Sequence, residues 1–238
     1  MILEALSDRD DATTAAELGR IIGLPKQTVS RLCATLQEEE FLVRDVRGGG
    51  YRPGRRARTM ASRVLHASTT HLARRRILHD LAEDIGETVN FVAPDDKGMS
   101  YKDRVETNWA FRIQLPIGSH VPFHCTASGK VFLATLPKRE QRRLVTAMSL
   151  EERTPNTLSH PDRLSEELKQ ISKQGFALDD QEFIKGMVAA AVPVWDPSGR
   201  YFASLAFHGP DQRVSIEDAE NLVPKLRTAA DKITQAMF

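Results

Sequence analysis

The stretch TAAELGRIIGLPKQTVSRLCATLQEEEF, Thr14–Phe41, decides the fold of the first part of the chain. It reads as two helices joined by a tight turn. Thr14 with Glu17 is a capping box, in which each residue satisfies an orphan backbone N–H at the helix start. Leu18, Ile21 and Ile22 recur at helical spacing and give one apolar face. Gly23 ends that helix where a positive φ is easiest, and Pro25 stands where a first-turn proline starts the next. In the second helix Val29, Leu32, Cys33 and Leu36 form the inward stripe. Gln27, Ser30, Arg31 and Ala34 fall on the opposite side, with Thr28 on its flank and Lys26 in the first turn. A short polar face with one arginine suits the floor of a DNA major groove, where Arg reads guanine and Gln reads adenine.

A helical hairpin with a solvated face has the same pattern. The residues after Glu40 separate the two. Phe41 to Arg44 reads as a strand, Val46 to Gly50 as a basic Gly-rich turn, and Gly50 to Arg52 as a return strand. A helix-turn-helix joined at once to a basic hairpin is a winged helix, with Arg44 and Arg47 placed to reach phosphates or the minor groove.

Net charge is only +1 over 238 residues, so the chain is no polycation. The distribution matters more: Arg44 to Arg63 holds seven arginines against Asp45 alone, a surplus suited to phosphates. The length predicts more than one core. Cys33 and Cys125 lie far apart in unlike contexts, so no disulfide framework is implied. No apolar run approaches membrane-spanning length and no signal peptide opens the chain, which places the protein in the cytoplasm with no membrane partner.

Met1 to Leu6 supplies a short opening helix. After the wing, Arg55 to Leu72 has helical spacing at Met60, Val64 and Leu65 and reads as a linker helix, and Arg74 to Ile85 as a second helix ending at Gly86. The period then changes. Thr88 to Ala93 and Met99 to Val105 read as a hairpin, and Trp109 to Leu115 and His120 to Phe123 as further strands. Thr126 to Leu136, a stretch from Pro137 to Met148, and Pro161 to Gln174 capped by Ser159 read as helices. Phe176 to Leu178 is a short strand, and Met187 to Trp195 with Tyr201 to Phe207 an apolar hairpin. Ser215 to Met237 closes the chain as a helix kinked at Pro224. The fold class is α+β, with an antiparallel sheet, helices on one face and a pocket on the other. The domains are 1–54, a winged helix-turn-helix; 55–73, a linker helix; and 74–238.

With these pieces in order the chain resembles the IclR-type transcriptional regulators over almost its full length. The resemblance rests on LGRIIGLPKQTVSRLCATLQEEEFL and GGGYRPG, then on GETVNF, HCTASGKVFLA, RTPNTL, KQGFALDDQEF and GMVAAAVPVWDPSG. It implies a winged helix, a linker helix and an α+β effector domain binding a small molecule. It also implies pairing of copies as a homodimer, with further association to a tetramer. The opening helix is shorter than usual in the family, and Pro53 replaces an aliphatic residue. The family's cysteine after Gly186 is Ala189 here, and its small polar residues near the end of the last hairpin strand are Ala206 and His208.

By the resemblance, Ala127 and Ser128 meet the effector through their backbone, Asp179 is a pocket acid, and Ala110, Ile113, Met187 and Ala189 form apolar walls. Independently, His124 to Lys130 opens a helix whose free N–H groups suit an anion. Ser128-Gly129 also fits plain tight packing, Asp179-Asp180 a solvated turn, and Met187 plain core. Ala189 and Ala206 remove polar partners and are expected to enlarge the pocket, while His208 adds an imidazole for a carboxylate or hydroxyl. This favours an organic acid of more than two or three carbons, aromatic acids among them. A Walker A loop fails, since Val131 replaces Ser/Thr. The competing class is a hydrolase or metal-dependent enzyme fused to a DNA-binding module. His124 and Cys125 in an extended strand point to opposite faces, and Pro122 breaks the spacing that would let His120 and His124 share zinc. No catalytic residue, metal ligand or cofactor is therefore assigned. A C-terminal domain that only oligomerises is the third reading.

Overall fold

The computed structural model describes residues 1–238 except 8, 10, 46–48, 67, 68 and 111–114, and the backbone alone of 63–66, 69 and 70. Contacts divide the chain into two units, Met1–His71 and Leu72–Phe238.

The first unit runs α1 (Ile2–Ser7), α2 (Ala15–Ile22), α3 (Lys26–Glu38), β1 (Leu42–Arg44), β2 (Tyr51–Pro53) and α4 (Arg55–His66). Both arms of the Thr14–Glu17 capping box form, at 2.9 and 3.3 Å. Gly23 closes α2 in the left-handed region, φ 71°. The end of α3 carries no glycine, yet it too turns left-handed: Glu40 has φ 58°, with Phe41 N–H on the Leu36 carbonyl (2.8 Å) and Glu40 N–H on Gln37 (3.0 Å). That is the Schellman bond pair with a glutamate where glycine is easier. Ile2 and Leu6 of the short α1 join Leu18, Val29, Cys33, Leu42 and Tyr51 in one core. Two expected inward residues lie outside it. Ile21 is 46% and Leu32 41% exposed. On α3 burial follows Val29 and Cys33, one helical turn apart, and Leu32 falls roughly 60° round the helix from Val29. β1 and β2 pair Leu42 with Pro53 and Arg44 with Tyr51, so Pro53 sits at the strand end, where its missing N–H costs least.

The next helix, α5 (Thr69–Ile85), begins before the expected Arg74. The second unit continues with β3 (Thr88–Asp95), β4 (Gly98–Val105), β5 (His120–Val121), α6 (Ala127–Thr135), α7 (Lys138–Ala147), α8 (Pro161–Gln174), β6 (Ala177–Asp180), β7 (Met187–Trp195), β8 (Tyr201–Pro210), α9 (Ile216–Asn221) and α10 (Val223–Met237). Among the described residues one antiparallel sheet forms, in the order β5-β4-β3-β8-β7-β6. Three local expectations are corrected. Trp109, Ala110 and Leu115 are outside any strand, and the middle of that segment lies outside the described residues. His160, not Ser159, is the N-cap of α8, and Pro161 begins the helix without a side-chain cap bond. The closing helix is two: Ser215 and Asp218 form a capping box on α9, and Pro224 lies in the first turn of α10, where a proline starts a helix instead of kinking one.

Helices cover both faces of the sheet, not one. Leu78, Leu81, Leu226 and Ile233 pack on Val89, Phe91, Val188, Val192, Leu205 and Phe207. The opposite face offers Ala177, Ala189, Ala191 and Ala206 to Val131, Leu164, Leu168 and Ile171 of α6 and α8. The reason is in β7: MVAAAVPVW is apolar at consecutive positions, so either face left bare would expose hydrocarbon. α6 sits close because a Cβ on Gly129 would lie 2.5 Å from the Phe123 Cα. No described helix is long and apolar enough to cross a membrane.

Candidate functional site

On α3 the buried Val29 and Cys33 fix the rotation of the helix, and the opposite side faces solvent. Lys26, Gln27, Ser30 and Arg31 are exposed and Thr28 is half-buried. Among the described residues neither Lys26 nor Arg31 has a carboxylate partner. This is a polar ridge about one helix wide with a free guanidinium near its middle, matched in width to a major groove. Arg44 is exposed on β1, its guanidinium 6.0 Å from the Tyr51 ring centroid. Arg47 lies outside the described residues.

The arginine surplus after Arg44 is smaller than the window suggests. Arg55 bonds Glu40 at 2.8 Å, Arg56 pairs with Glu39 and stacks on Phe41, and Arg52 reaches Asp45 at 3.3 Å. Arg58 donates to the Pro53 carbonyl at 3.0 Å. The acids responsible end α3, just before the counted run. Cations and acids here tie α4 to the end of α3, and among the described wing residues Arg44 is exposed without a carboxylate partner.

In the second unit, α6 and the sheet face each other across a small cavity. Thr126 caps α6: its Oγ1 accepts the Gly129 N–H at 3.1 Å and donates to the Pro122 carbonyl at 2.7 Å. The N–H groups of Ala127 and Ser128 have no intrahelical acceptor. Opposite them run two cross-strand rows. One is Asp179, Ala189, His208 and Thr88; the next is Ala177, Ala191, Ala206 and Asn90. The cavity is lined by Ala127 and Ser128 from α6, and by Asp179, Met187, Ala189, Ala206 and His208 from the sheet. Ala110 is exposed and is not part of it, and Ile113 lies outside the described residues. The volume is ≈ 20 Å³, room for one water molecule. The alanines at 189 and 206 therefore have not opened a large pocket: Asn90, Tyr101 and Phe183 close in on the space.

Those three residues carry no mark in the sequence, nor do most of the charges behind them. Asn90 accepts from Arg104 at 3.2 Å through Oδ1, so its amide N–H donates to His208 Nδ1 at 3.1 Å. A neutral His208 then carries its proton on Nε2. Asp179 is fully buried. Its Oδ1 accepts the N–H groups of Glu182 (2.7 Å) and Phe183 (3.3 Å), and among the described residues its Oδ2 has no partner. Burial, then the charge of Glu182, pushes this carboxyl up to about 7, with Lys130 opposing. Lys130, 1% exposed on α6, pairs with Glu182 and lies 3.4 Å from Glu167. Burial works against its charge, yet these carboxylates hold it above the ordinary lysine range. Burial also raises Glu182. The signal available in sequence was a lysine in an otherwise apolar helix, with Glu182 three residues beyond Asp179.

Cys125, His124 and His120 are each engaged separately. Burial pushes the Cys125 thiol up to about 12, the reverse of what activates a cysteine. His124 meets the Glu151 carbonyl at 3.0 Å, and His120 bonds Asp95 at 2.6 Å on the β3–β4 side. A wider groove along α7 is one exposed helix face lined by Lys138, Arg139, Arg142 and Arg143, with no buried polar group turned into it.

Known proteins share this architecture and its sequence. The family described as the bacterial transcriptional regulator IclR C-terminal domain matches residues 63–235, and the IclR helix-turn-helix domain matches residues 1–46. The probable transcriptional regulator SauR of Cupriavidus necator is 37% identical over 234 residues, 98% of this chain and 93% of that protein. The transcriptional repressor IclR of Escherichia coli is 30% identical over 237 residues, 99% of this chain and 86% of that one. In structure, the Thermotoga maritima IclR aligns with a TM-score of 0.68 at 26% identity, covering 99% of this chain and 95% of that chain.

Proposed function

This chain belongs to the IclR family of DNA-binding transcriptional regulators, which are not enzymes, and from that premise we propose how its two units bind their ligands. The α3 ridge enters the major groove, with Gln27 and Arg31 on base edges and Lys26, Thr28 and Ser30 supporting them. Arg44 and Arg47 of the wing hold backbone phosphates. The DNA-binding unit spans 1–54, followed by the linker, 55–73, and the effector-binding domain, 74–238. Two copies sit on a near-palindromic operator, since protein symmetry is mirrored in the DNA, and pairs of dimers form a tetramer. The protein works in the cytoplasm.

The effector is a small organic acid, aromatic acids included, seated between the α6 N-terminus and the rows holding Asp179, Ala189 and His208. One observation carries this: seven residues from three strands and one helix converge on a cavity holding a buried carboxylate oxygen that has no partner among the described residues. A ligand that binds one state of the regulator more tightly shifts the population, and operator affinity changes by that differential.

The DNA half is tested with Arg31→Ala and Arg44→Ala in fluorescence-anisotropy titrations of operator and scrambled duplexes at several salt concentrations. Arg31→Ala is expected to cost about 1–3 kcal/mol on the operator and to relax base preference. Arg44→Ala should weaken both duplexes alike and flatten the salt dependence. Unchanged operator affinity and preference in Arg31→Ala refutes the reading ridge.

A further inference from the structure

Asp179 is the one feature of the cavity that packing does not explain. Its Oδ1 holds the turn after β6 through two backbone N–H groups, a sufficient structural role. Its Oδ2 is buried, has no partner among the described residues, and belongs to a residue that lines the cavity. An organic acid entering as a carboxylate would place a second negative group in the same dry space. Two carboxylates that close do not both stay ionised.

Among the described residues the neighbours do not supply a spare positive charge. Lys130, from α6, is already shared by Glu182 of the turn and Glu167 of α8. Tyr101 of β4 and Cys125 ahead of α6 are both pushed up to about 12 by burial, so they keep their protons and take up none. Arg153, before α8, acts on Cys125 from a distance and stacks over Phe183. His208 of β8 lies two positions along the row from Asp179, with the methyl of Ala189 between them, and its Nδ1 is engaged by Asn90.

We propose that the cavity takes its carboxylate ligand together with one proton, carried on Asp179 Oδ2 and donated as a hydrogen bond to the ligand's carboxylate. This rests on the organic-acid reading above and adds a regulation to it. The proton comes from solvent and no covalent bond changes. Burial and the Glu182 charge already hold the empty site's carboxyl at about 7, so the proton is half in place at neutral pH. Ligand binding raises the carboxyl further, and that sets the sign of the linkage. Below about pH 7 the group is already protonated and affinity is level; above it each ligand must bring a proton, and affinity falls about tenfold per pH unit. Acidification of the cell would then sensitise the regulator to its effector.

The test is isothermal titration of the full chain with acetate, butyrate and benzoate at about pH 6, 7 and 8, each in two buffers of different ionisation enthalpy. About one proton taken up per ligand bound at about pH 8 is expected, with the tenfold loss per unit. In Asp179→Asn the amide oxygen can accept the same two N–H groups and the NH₂ can donate where O–H did. That variant should keep the acid bound to within about threefold, with neither proton uptake nor pH dependence. Binding at about pH 8 without proton uptake overturns the proposal, because Asp179 is then ionised and accepts from a hydroxyl of the ligand or from nothing. So does loss of binding in a folded Asp179→Asn, or disappearance of the uptake in His208→Gln. No saturable heat from any of the three acids at any pH sinks the organic-acid reading itself, and this proposal with it.

Discussion

Replacing Lys130 by methionine probes the buried charges directly. The two side chains have similar length, so packing is nearly kept while the cation is removed. Lys130 is 1% exposed and its ammonium holds Glu182, itself buried, with Glu167 at 3.4 Å. Without it, Glu182 and Asp179 face each other with no compensating charge, and breaking a buried pair in this way costs about 3–5 kcal/mol. For a chain of this size that lowers the melting temperature by roughly 6–20 °C. The loss must depend on pH. Burial already raises Glu182 above the ordinary range and puts Asp179 at about 7, and Lys130 opposes both shifts. Its removal raises both further. A carboxyl whose folded value exceeds its unfolded one binds a proton on folding. Stability of the variant therefore falls as pH rises through that interval and recovers on acidification. Urea denaturation at about pH 5 and about pH 8 measures this, with a deficit at least halved at the lower pH. A deficit under about 1 kcal/mol at about pH 8, or one equal at both, would refute the account of α6 as a helix locked by charge.

Gly129→Ala places a methyl against the Phe123 backbone, forcing α6 away from the sheet; urea titration should give a loss of about 1–3 kcal/mol. Ala189→Leu fills the space between Asp179 and His208. Benzoate and butyrate should then no longer raise the melting temperature, while operator binding by the free protein, monitored by anisotropy, is unchanged.

The elements that the sequence announces are those fixed by neighbours a few residues away. The Thr14–Glu17 box, Gly23 in the left-handed region and the Asp95–Gly98 turn are bonds or torsions within one turn of chain. What escapes is decided from farther off. Which hydrophobic residues of α3 are buried depends on the cover that α1 and the hairpin give, so Val29 is inside and Leu32 outside. The arginine surplus shrinks because Glu39 and Glu40 reach Arg56 and Arg55 across a strand hairpin. The left-handed Glu40 has no sequence mark, because a glutamate there is a tolerated cost. Of the nine pocket positions the family resemblance implies, Ala127, Ser128, Asp179, Met187, Ala189, Ala206 and His208 line one space, Ala110 does not, and Ile113 lies outside the described residues. Its size could not be read from two side-chain truncations, since volume depends on every residue that lines the space, Tyr101 and Phe183 included.

That small volume bears on how the site works. At ≈ 20 Å³ the closed cavity holds a water molecule, so even acetate enters only if something withdraws. The choices differ in stiffness. α6 is anchored by Lys130 to Glu182 and, through the Ser128 carbonyl, to the Ser204 hydroxyl at 3.1 Å. The sheet rows are tied by backbone ladders. The turn 181–186 is held differently: Asp179 Oδ1 bonds Glu182 and Phe183 N–H, and Thr154 and Thr157 hydroxyls bond the Glu182 carbonyl at 3.2 and 2.6 Å. Gln181 within it adopts φ 58°, a left-handed torsion that a non-glycine residue occupies at a cost. Among the described residues of the three walls this turn alone holds a left-handed non-glycine torsion, and it carries Phe183, whose ring lines the cavity. On the small-acid reading proposed above, ligand entry is expected to displace Phe183 and to relax or rebuild the 181–186 turn before it moves α6. The same turn bears Glu182, the partner of Lys130, so a ligand that shifts it also loosens the ion pair that fixes α6. On that reading a small acid would alter a helix it need not push, which would supply the two states with unequal ligand affinity that regulation by population shift requires.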